Sequence, residues 1–83
     1  MSIKDETIEL MCRTLDVTKE ELKENQKLYD SIGVDSTEIV ELTVSLKKHF
    51  GVQLETNEIT KMSTPLEIAA LIEKKKRAIQ RHI

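Results

Sequence analysis

The stretch from Asp35 to Gly51 constrains the fold more than any other part of this 83-residue chain. Its apolar residues recur at the spacing of one helix face, as Ile39, Leu42, Leu46 and Phe50. Asp35 is a good N-cap, Glu38 stands three residues later as in a capping box, and Gly51 supplies a stop. The pattern predicts an α-helix over about 36–50.

Two further helices have clear beginnings. Ser2 caps a helix at about 3–15, whose apolar face consists of Ile8, Met11, Cys12 and Leu15. Thr64, Pro65 and Glu67 form a cap, a first-turn proline and a completed capping box. The helix that they begin runs to about 76, or further through Ile79.

The rest of the chain connects these helices. Residues 16–35 show no sustained helical stripe and predict a long ordered loop, with one short turn around 18–23. Residues 56–61 predict a short helix. The expected fold is all-α: a small four-helix bundle of three principal helices and one short helix, with the long loop between the first two. One domain spans 1–83, with its helical core at about 3–76.

Composition excludes several classes of protein. One cysteine rules out a disulfide framework, and Cys12 is interpreted as a buried hydrophobe rather than a nucleophile. His49 is expected to be solvated and His82 to lie in a frayed tail, so no catalytic or metal site is predicted. No apolar run approaches the roughly 20 residues of a membrane helix. The polar N-terminus argues against a signal peptide, and a cytoplasmic protein is expected.

Charge is distributed unevenly along the chain. Residues 1–73 carry eight Lys/Arg and fifteen Asp/Glu, whereas residues 74–83 carry five Lys/Arg and no acid. The acidic body favours basic partners and repels nucleic acid. The basic end is interpreted as a solvated helix end, which the helix dipole favours, with contact to RNA or a membrane surface as the alternative.

The sequence Asp35-Ser36 carries the most chemical information. Ser36 becomes the first helical residue, and its hydroxyl lies at the positive end of the helix dipole beside free backbone N–H groups. This is a favourable place for a covalently attached phosphate. On these two residues alone, a plain helix cap with Ser36 filling the first turn is the better explanation of the pattern, because Asp-Ser is common at helix starts.

A longer string resolves the choice. Residues 28–42 read Leu-Tyr-Asp-Ser-Ile-Gly-Val-Asp-Ser-Thr-Glu-Ile-Val-Glu-Leu. They resemble the acyl carrier protein family, whose hallmark is an apolar-Gly-x-Asp-Ser-Leu stretch before a helix of the form x-x-Val-Glu-Leu. Phe50 at the helix end and the Thr64–Ile68 helix start also fit, so that the resemblance covers about 3–76.

The resemblance implies a carrier rather than an enzyme, with no catalytic residue of its own. It places a covalent 4′-phosphopantetheine, taken from coenzyme A, on Ser36, with Asp35 as the motif residue and cap. The thiol of that arm would hold an acyl group as a thioester. The implied partners are a phosphopantetheinyl transferase, an acyl ligase or acyltransferase, a ketosynthase and other acyl-processing enzymes. A monomer that binds neither nucleic acid nor membrane is expected.

The resemblance also implies two surfaces. The docking residues on the second principal helix would be Asp35, Thr37, Glu38, Val40, Glu41 and Val44. The candidate residues around an acyl chain are Leu46, Ile59, Met62, Ile68 and Leu71. Plain alternatives remain: the acids form a solvated face, and the apolar residues are simply core.

Two departures from the family pattern concern docking. Thr37 stands where the family usually has Leu, and Lys47-Lys48-His49 replace a commonly acidic helix end. They indicate a specialised carrier rather than a general fatty-acid one. Two other functions remain open: a non-covalent helical adaptor with Ser36 unmodified, and a small nucleic-acid binder that uses residues 74–81.

Overall fold

Four helices form the part of the chain that the computed structural model describes, residues 2–55 and 57–80. They are α1 (Ile3–Leu15), α2 (Leu28–Ile32), α3 (Ser36–Phe50) and α4 (Pro65–Gln80). No β-strand occurs within those residues, which confirms the all-α prediction. None of the described helices is long and apolar enough to cross a membrane.

The predicted signals set the bounds of α1 and α3. The Ser2 hydroxyl accepts the Asp5 N–H at 3.1 Å, so α1 begins at the expected residue. At the other end of α3, Gly51 has φ +66°, a left-handed conformation that glycine adopts without a Cβ penalty. Its N–H donates to the Lys47 carbonyl at 2.8 Å and closes the helix.

The short helix is not where the sequence predicted it. The predicted helix was 56–61, and residue 56 lies outside the described chain. Over residues 57–62 the backbone makes turns and a bend instead of a helix. The hydroxyls of Thr60 and Ser63 accept backbone N–H groups there, which competes with helical hydrogen bonding. The short helix is instead α2, inside the long loop. Its first N–H groups, those of Leu28 and Tyr29, donate to carbonyls of residues 63 and 61 at 2.9 Å.

The core is aliphatic and is shared by three helices and the loop. The helix α1 packs against both α3 and α4. The side chains of Met11, Leu28, Leu42, Leu46 and Ile72 have no solvent exposure. Leu22, Leu28 and Val34 bury the loop in the same cluster, as expected for apolar residues that pin it across the helices.

The helix α4 extends through the basic run to Gln80, close to the longer of the two predicted ends. Lys75 Nζ lies 2.9 Å from Glu58 Oε1, and Lys76 Nζ donates to the Phe50 carbonyl at 3.3 Å. These two lysines therefore hold the end of α4 against the rest of the domain. Residues 81–83, and with them His82, lie outside the described chain.

His49 is exposed, as predicted, and it also makes a contact that the sequence did not reveal. Its Nε2 lies 3.1 Å from Glu6 Oε2 on α1, and its ring meets Phe50 edge-on at 4.8 Å between centroids. The contact links the end of α3 to the beginning of α1. The interpretation of Cys12 is confirmed: it is buried, and desolvation raises the pKa of its thiol, which favours the unreactive protonated form.

Candidate functional site

Two buried residues hold the beginning of α3 at the surface. Val34 and Ile39 both lie in the core, with 2% and 8% of their surface exposed. Between them, Asp35, Ser36 and Thr37 are exposed. Residues 35–37 thus form one short exposed stretch between two buried residues, and Ser36 is the middle residue of that stretch.

A reciprocal cap fixes the backbone around Ser36. Asp35 Oδ1 accepts the Glu38 N–H at 2.8 Å, and Glu38 Oε1 accepts the Asp35 N–H at 3.1 Å. This confirms the predicted capping box. The N–H groups of Ser36 and Thr37 find no acceptor among the described residues. They remain available at the positive end of a 15-residue helix.

The geometry fits a phosphate ester on Ser36. The residue is exposed, and a phosphate on its hydroxyl would lie beside free backbone donors at a helix N-terminus. Gly33, three residues before it, adopts φ +64°, and a Cβ built there would have no heavy atom within 4 Å. The left-handed turn at Gly33 ends α2. The open space beside Gly33 leaves the approach to Ser36 open from that side.

The predicted docking residues all reach the surface, though to different degrees. Asp35, Thr37 and Glu41 are exposed, and Glu38 is half-buried. Val40 and Val44 are large apolar side chains with 60% and 42% exposure. The structure therefore places these residues together on the beginning and middle of α3, while their contact with a partner stays a prediction.

The predicted acyl-pocket residues are not all brought together. Leu46, Ile59 and Ile68 are buried in the core, and Met62 is 56% exposed. Ile68 and Leu71 line a surface groove of about 240 Å³, together with Glu58, Ser63 and Glu67. The groove is lined by both apolar and polar side chains, and an acyl chain within it stays a prediction.

Sequence reasoning did not single out Tyr29, an aromatic residue that lies close to Ser36 in the sequence. Tyr29 lies on α2, is 53% exposed, and has Lys61 Nζ at 5.6 Å from its ring centroid. The signal was available, since this lone tyrosine stands in a polar loop just before the Gly33 turn. Nearby on α2, the buried Ser31 hydroxyl has no hydrogen-bond partner among the described residues.

Metal chemistry finds no support in the described part of the chain. No group of three or more His, Cys, Asp and Glu residues there is arranged to hold a metal ion. The Asp35 and Glu38 carboxylates each accept a backbone N–H group in the cap.

Comparison with known proteins agrees with this site. A family model described as "Phosphopantetheine attachment site" matches residues 5–72. An acyl carrier protein of Wolinella succinogenes is 33% identical over 76 residues, which cover 92% of this chain and all of the relative. Acyl carrier proteins of Thermotoga maritima and Chloroherpeton thalassium are 33% and 31% identical, over 80% and 89% of this chain and 82% and 94% of their own lengths.

The small helical bundle, the capped and exposed serine at a helix start, and the match to a phosphopantetheine attachment family together identify a prosthetic-group carrier. The family match covers most of the chain, and the relatives align over nearly their whole lengths. The chain belongs to the acyl carrier protein family, whose members bear a covalent 4′-phosphopantetheine group.

Proposed function

We propose that Ser36 is the residue that carries the 4′-phosphopantetheine arm, and that this chain holds acyl intermediates on it as thioesters. The observation that carries the proposal is the exposed first-turn position of Ser36 between two buried anchors, Val34 and Ile39. When bound, the arm supplies a thiol, which forms the thioester. The chain itself then acts as the substrate of partner enzymes and not as a catalyst.

The residues around Ser36 have distinct tasks in this proposal. The Asp35–Glu38 cap holds the first turn in one geometry before the transferase arrives. The free N–H groups of Ser36 and Thr37 stabilise the negative phosphodiester after attachment.

A flexible arm on a small domain also explains why the chain needs no active site. One tethered substrate reaches several enzymes at a high effective concentration without leaving the carrier. The partners are therefore a phosphopantetheinyl transferase and acyl-processing enzymes such as a ligase or acyltransferase and a ketosynthase. The identity of the acyl group, cytoplasmic location and monomeric state stay predictions.

The test is intact mass after incubation with coenzyme A and a purified phosphopantetheinyl transferase. The wild-type chain should gain one phosphopantetheine, and Ser36→Ala should gain none. Thr37→Ala, which removes the neighbouring exposed hydroxyl, is the matched control and should still be loaded. Loading of Ser36→Ala, or failure of the folded wild-type chain to load, would contradict the proposal.

The non-covalent adaptor remains the second candidate. The exposed pair Val40 and Val44 favours it, since an adaptor also needs an unpartnered apolar face. It predicts tight binding of a partner by the unmodified chain, with no change in Ser36→Ala. The loading experiment separates the two functions.

A further inference from the structure

One face of α3 has no partner among the described residues. Opposite the buried stripe of Ile39, Leu42 and Leu46, successive turns of the helix present a strip of solvent-facing side chains. They are Thr37, Val40, Glu41, Val44 and Lys48. This strip, called the outer face of α3 below, starts next to Ser36 and runs the length of the helix.

The middle of the outer face is apolar. Val40 and Val44, which stand one turn apart, are 60% and 42% exposed. Valine is also a weaker helix former than alanine or leucine, so neither helix propensity nor core packing explains these two residues. A partner surface that covers them would gain from their burial.

The two ends of the outer face carry opposite charge. On this face, Glu41 lies in the first half of α3 and Lys48 lies in its last turn, while Glu38 and Lys47 flank the face at the two ends of the helix. Neither lysine forms an ion pair with an acid in the described chain, although two other basic side chains contact acids: His49 contacts Glu6, and Lys75 contacts Glu58. Lys76 from α4 adds a third positive charge at the same end, where it donates to the Phe50 carbonyl.

The helix dipole alone does not explain this arrangement. It favours acids at the beginning of a helix and cations at its end, so it accounts for the order of the charges. It does not account for the exposed valines between them. It also leaves Glu41 unexplained, because this acid stands in the second turn and takes no part in the cap.

We propose that the outer face of α3 is a two-signed docking surface for an acyl-processing enzyme with the reverse charge order. This rests on the proposed function, because an arm on Ser36 brings the entrance of the partner's active site next to the acidic half of α3. The partner then carries basic residues at that entrance, an apolar strip opposite Val40 and Val44, and an acidic cluster opposite Lys47 and Lys48.

The spacing on the partner follows from helix geometry. Glu41 and Lys48 are seven residues apart, which corresponds to about 10 Å along the axis at about 1.5 Å per residue. The acidic cluster should lie about that far from the basic entrance. A partner that is basic along the whole strip would meet like charge at Lys47 and Lys48, which slows association and selects against it.

Two enzymes serve as the probe. One is a purified fatty-acid ketosynthase whose carrier-facing rim is basic. The other is a variant in which the two rim residues farthest from the active-site entrance are replaced by Glu. The chain is loaded with an acyl-phosphopantetheine arm from acyl-coenzyme A. The wild-type chain should prefer the Glu variant by about fivefold or more in kcat/KM, mainly through KM. The preference should largely vanish at about 0.5 M salt, since screening shortens the reach of the charges.

Charge reversal on the chain supplies the test of position. Lys47→Glu/Lys48→Glu should reverse the preference, and Lys47→Gln/Lys48→Gln, which is milder for helix stability, should remove it. Lys19→Glu/Lys23→Glu makes the same change in net charge on a groove beside α1 and should keep the wild-type preference. Thermal melting verifies that each variant is folded.

The outcomes separate two failures. A chain that takes no arm contradicts the proposed function. If the arm is on Ser36 but Lys47→Glu/Lys48→Glu keeps the wild-type preference, the docking surface is wrong and the carrier function stands. If Lys19→Glu/Lys23→Glu shifts the preference equally, net charge rather than the end of α3 is recognised, and the proposal is also overturned.

Discussion

The helices α3 and α4 begin with the same cap but in opposite surroundings. At α3, Asp35 and Glu38 exchange hydrogen bonds of 2.8 and 3.1 Å, and the first helical residue, Ser36, is exposed. At α4, Thr64 and Glu67 exchange hydrogen bonds of 3.1 and 2.9 Å, and the first helical residue is a buried proline. The cap is therefore not what distinguishes a functional helix start from a structural one.

The free backbone donors make the difference. Pro65 has no N–H, and the N–H of Leu66 donates to the Glu24 carbonyl at 3.2 Å, which ties α4 to the loop. Ser36 and Thr37 keep their N–H groups available. The backbone donors at the beginning of α4 are therefore absent or bonded within the fold, whereas those of Ser36 and Thr37 have no acceptor among the described residues.

The largest expected contrast between these two regions is in packing. Ile68 lies in the first turn of α4 with 1% exposure, and Val40 lies in the second turn of α3 with 60%. Ile68→Ala should cost about 2–5 kcal/mol of unfolding free energy through the cavity that it leaves. Val40→Ala should change it by no more than about 0.5 kcal/mol. Urea denaturation measures both.

A milder variant protects that comparison against complete unfolding. If Ile68→Ala does not fold, Ile68→Val should cost about 0.5–1.5 kcal/mol. Equal losses at Val40 and Ile68 would show that the face of α3 is packed and not free.

Removing each cap should separate stability from function. Asp35→Ala and Thr64→Ala should each cost about 1 kcal/mol, because each leaves a helix N–H unsatisfied. Only Asp35→Ala should also slow the loading of Ser36, because its first turn is the one the transferase must recognise. Denaturation and the rate of mass gain are the two measurements. Equal slowing in Thr64→Ala would break the distinction between the two helix starts.

The smallest effect concerns the segment that leads into α4. A hydrogen bond from the Glu55 N–H and one from Lys75 lower the pKa of Glu58. Its stabilising contribution is therefore present above the usual pKa of a glutamate carboxyl and is lost as pH falls through the lower, folded value. Glu58→Gln should be slightly less stable than wild type near neutral pH, with the gap closing in acid.

Stability measured against pH for both chains checks this prediction. Lys75→Gln should remove part of the same pH dependence, because it takes away one of the two donors. A gap that widened toward acid would contradict the assignment.

Sequence reasoning succeeded where local signals were sufficient. The bounds of α1 and α3 follow from Ser2, Asp35 and Gly51, which act on their own helices. The turn at 18–23 also forms, with a reciprocal cap between Thr18 and Glu21 that starts no helix. Caps and turns of this kind can be predicted from the sequence because their hydrogen bonds join residues three or four apart.

It failed where distant segments decide the structure. The helix α2 forms where Leu28 and Tyr29 donate to carbonyls more than 30 residues away, which no local pattern reveals. The contact between His49 and Glu6 joins two helices in the same way. The capping box around Ser36 was predictable, because Asp35, Ser36 and Glu38 are neighbours in sequence, whereas the exposure of Tyr29 and Met62 depends on the packed fold.

The most direct measurement is the mass of the chain purified from its own cells, followed by fragmentation to locate any added group. The account predicts a phosphopantetheine on the Ser36 hydroxyl, alone or with an acyl group on its thiol, and unmodified Ser31 and Thr37. A native chain with no such group, or with the group on another residue, would contradict it.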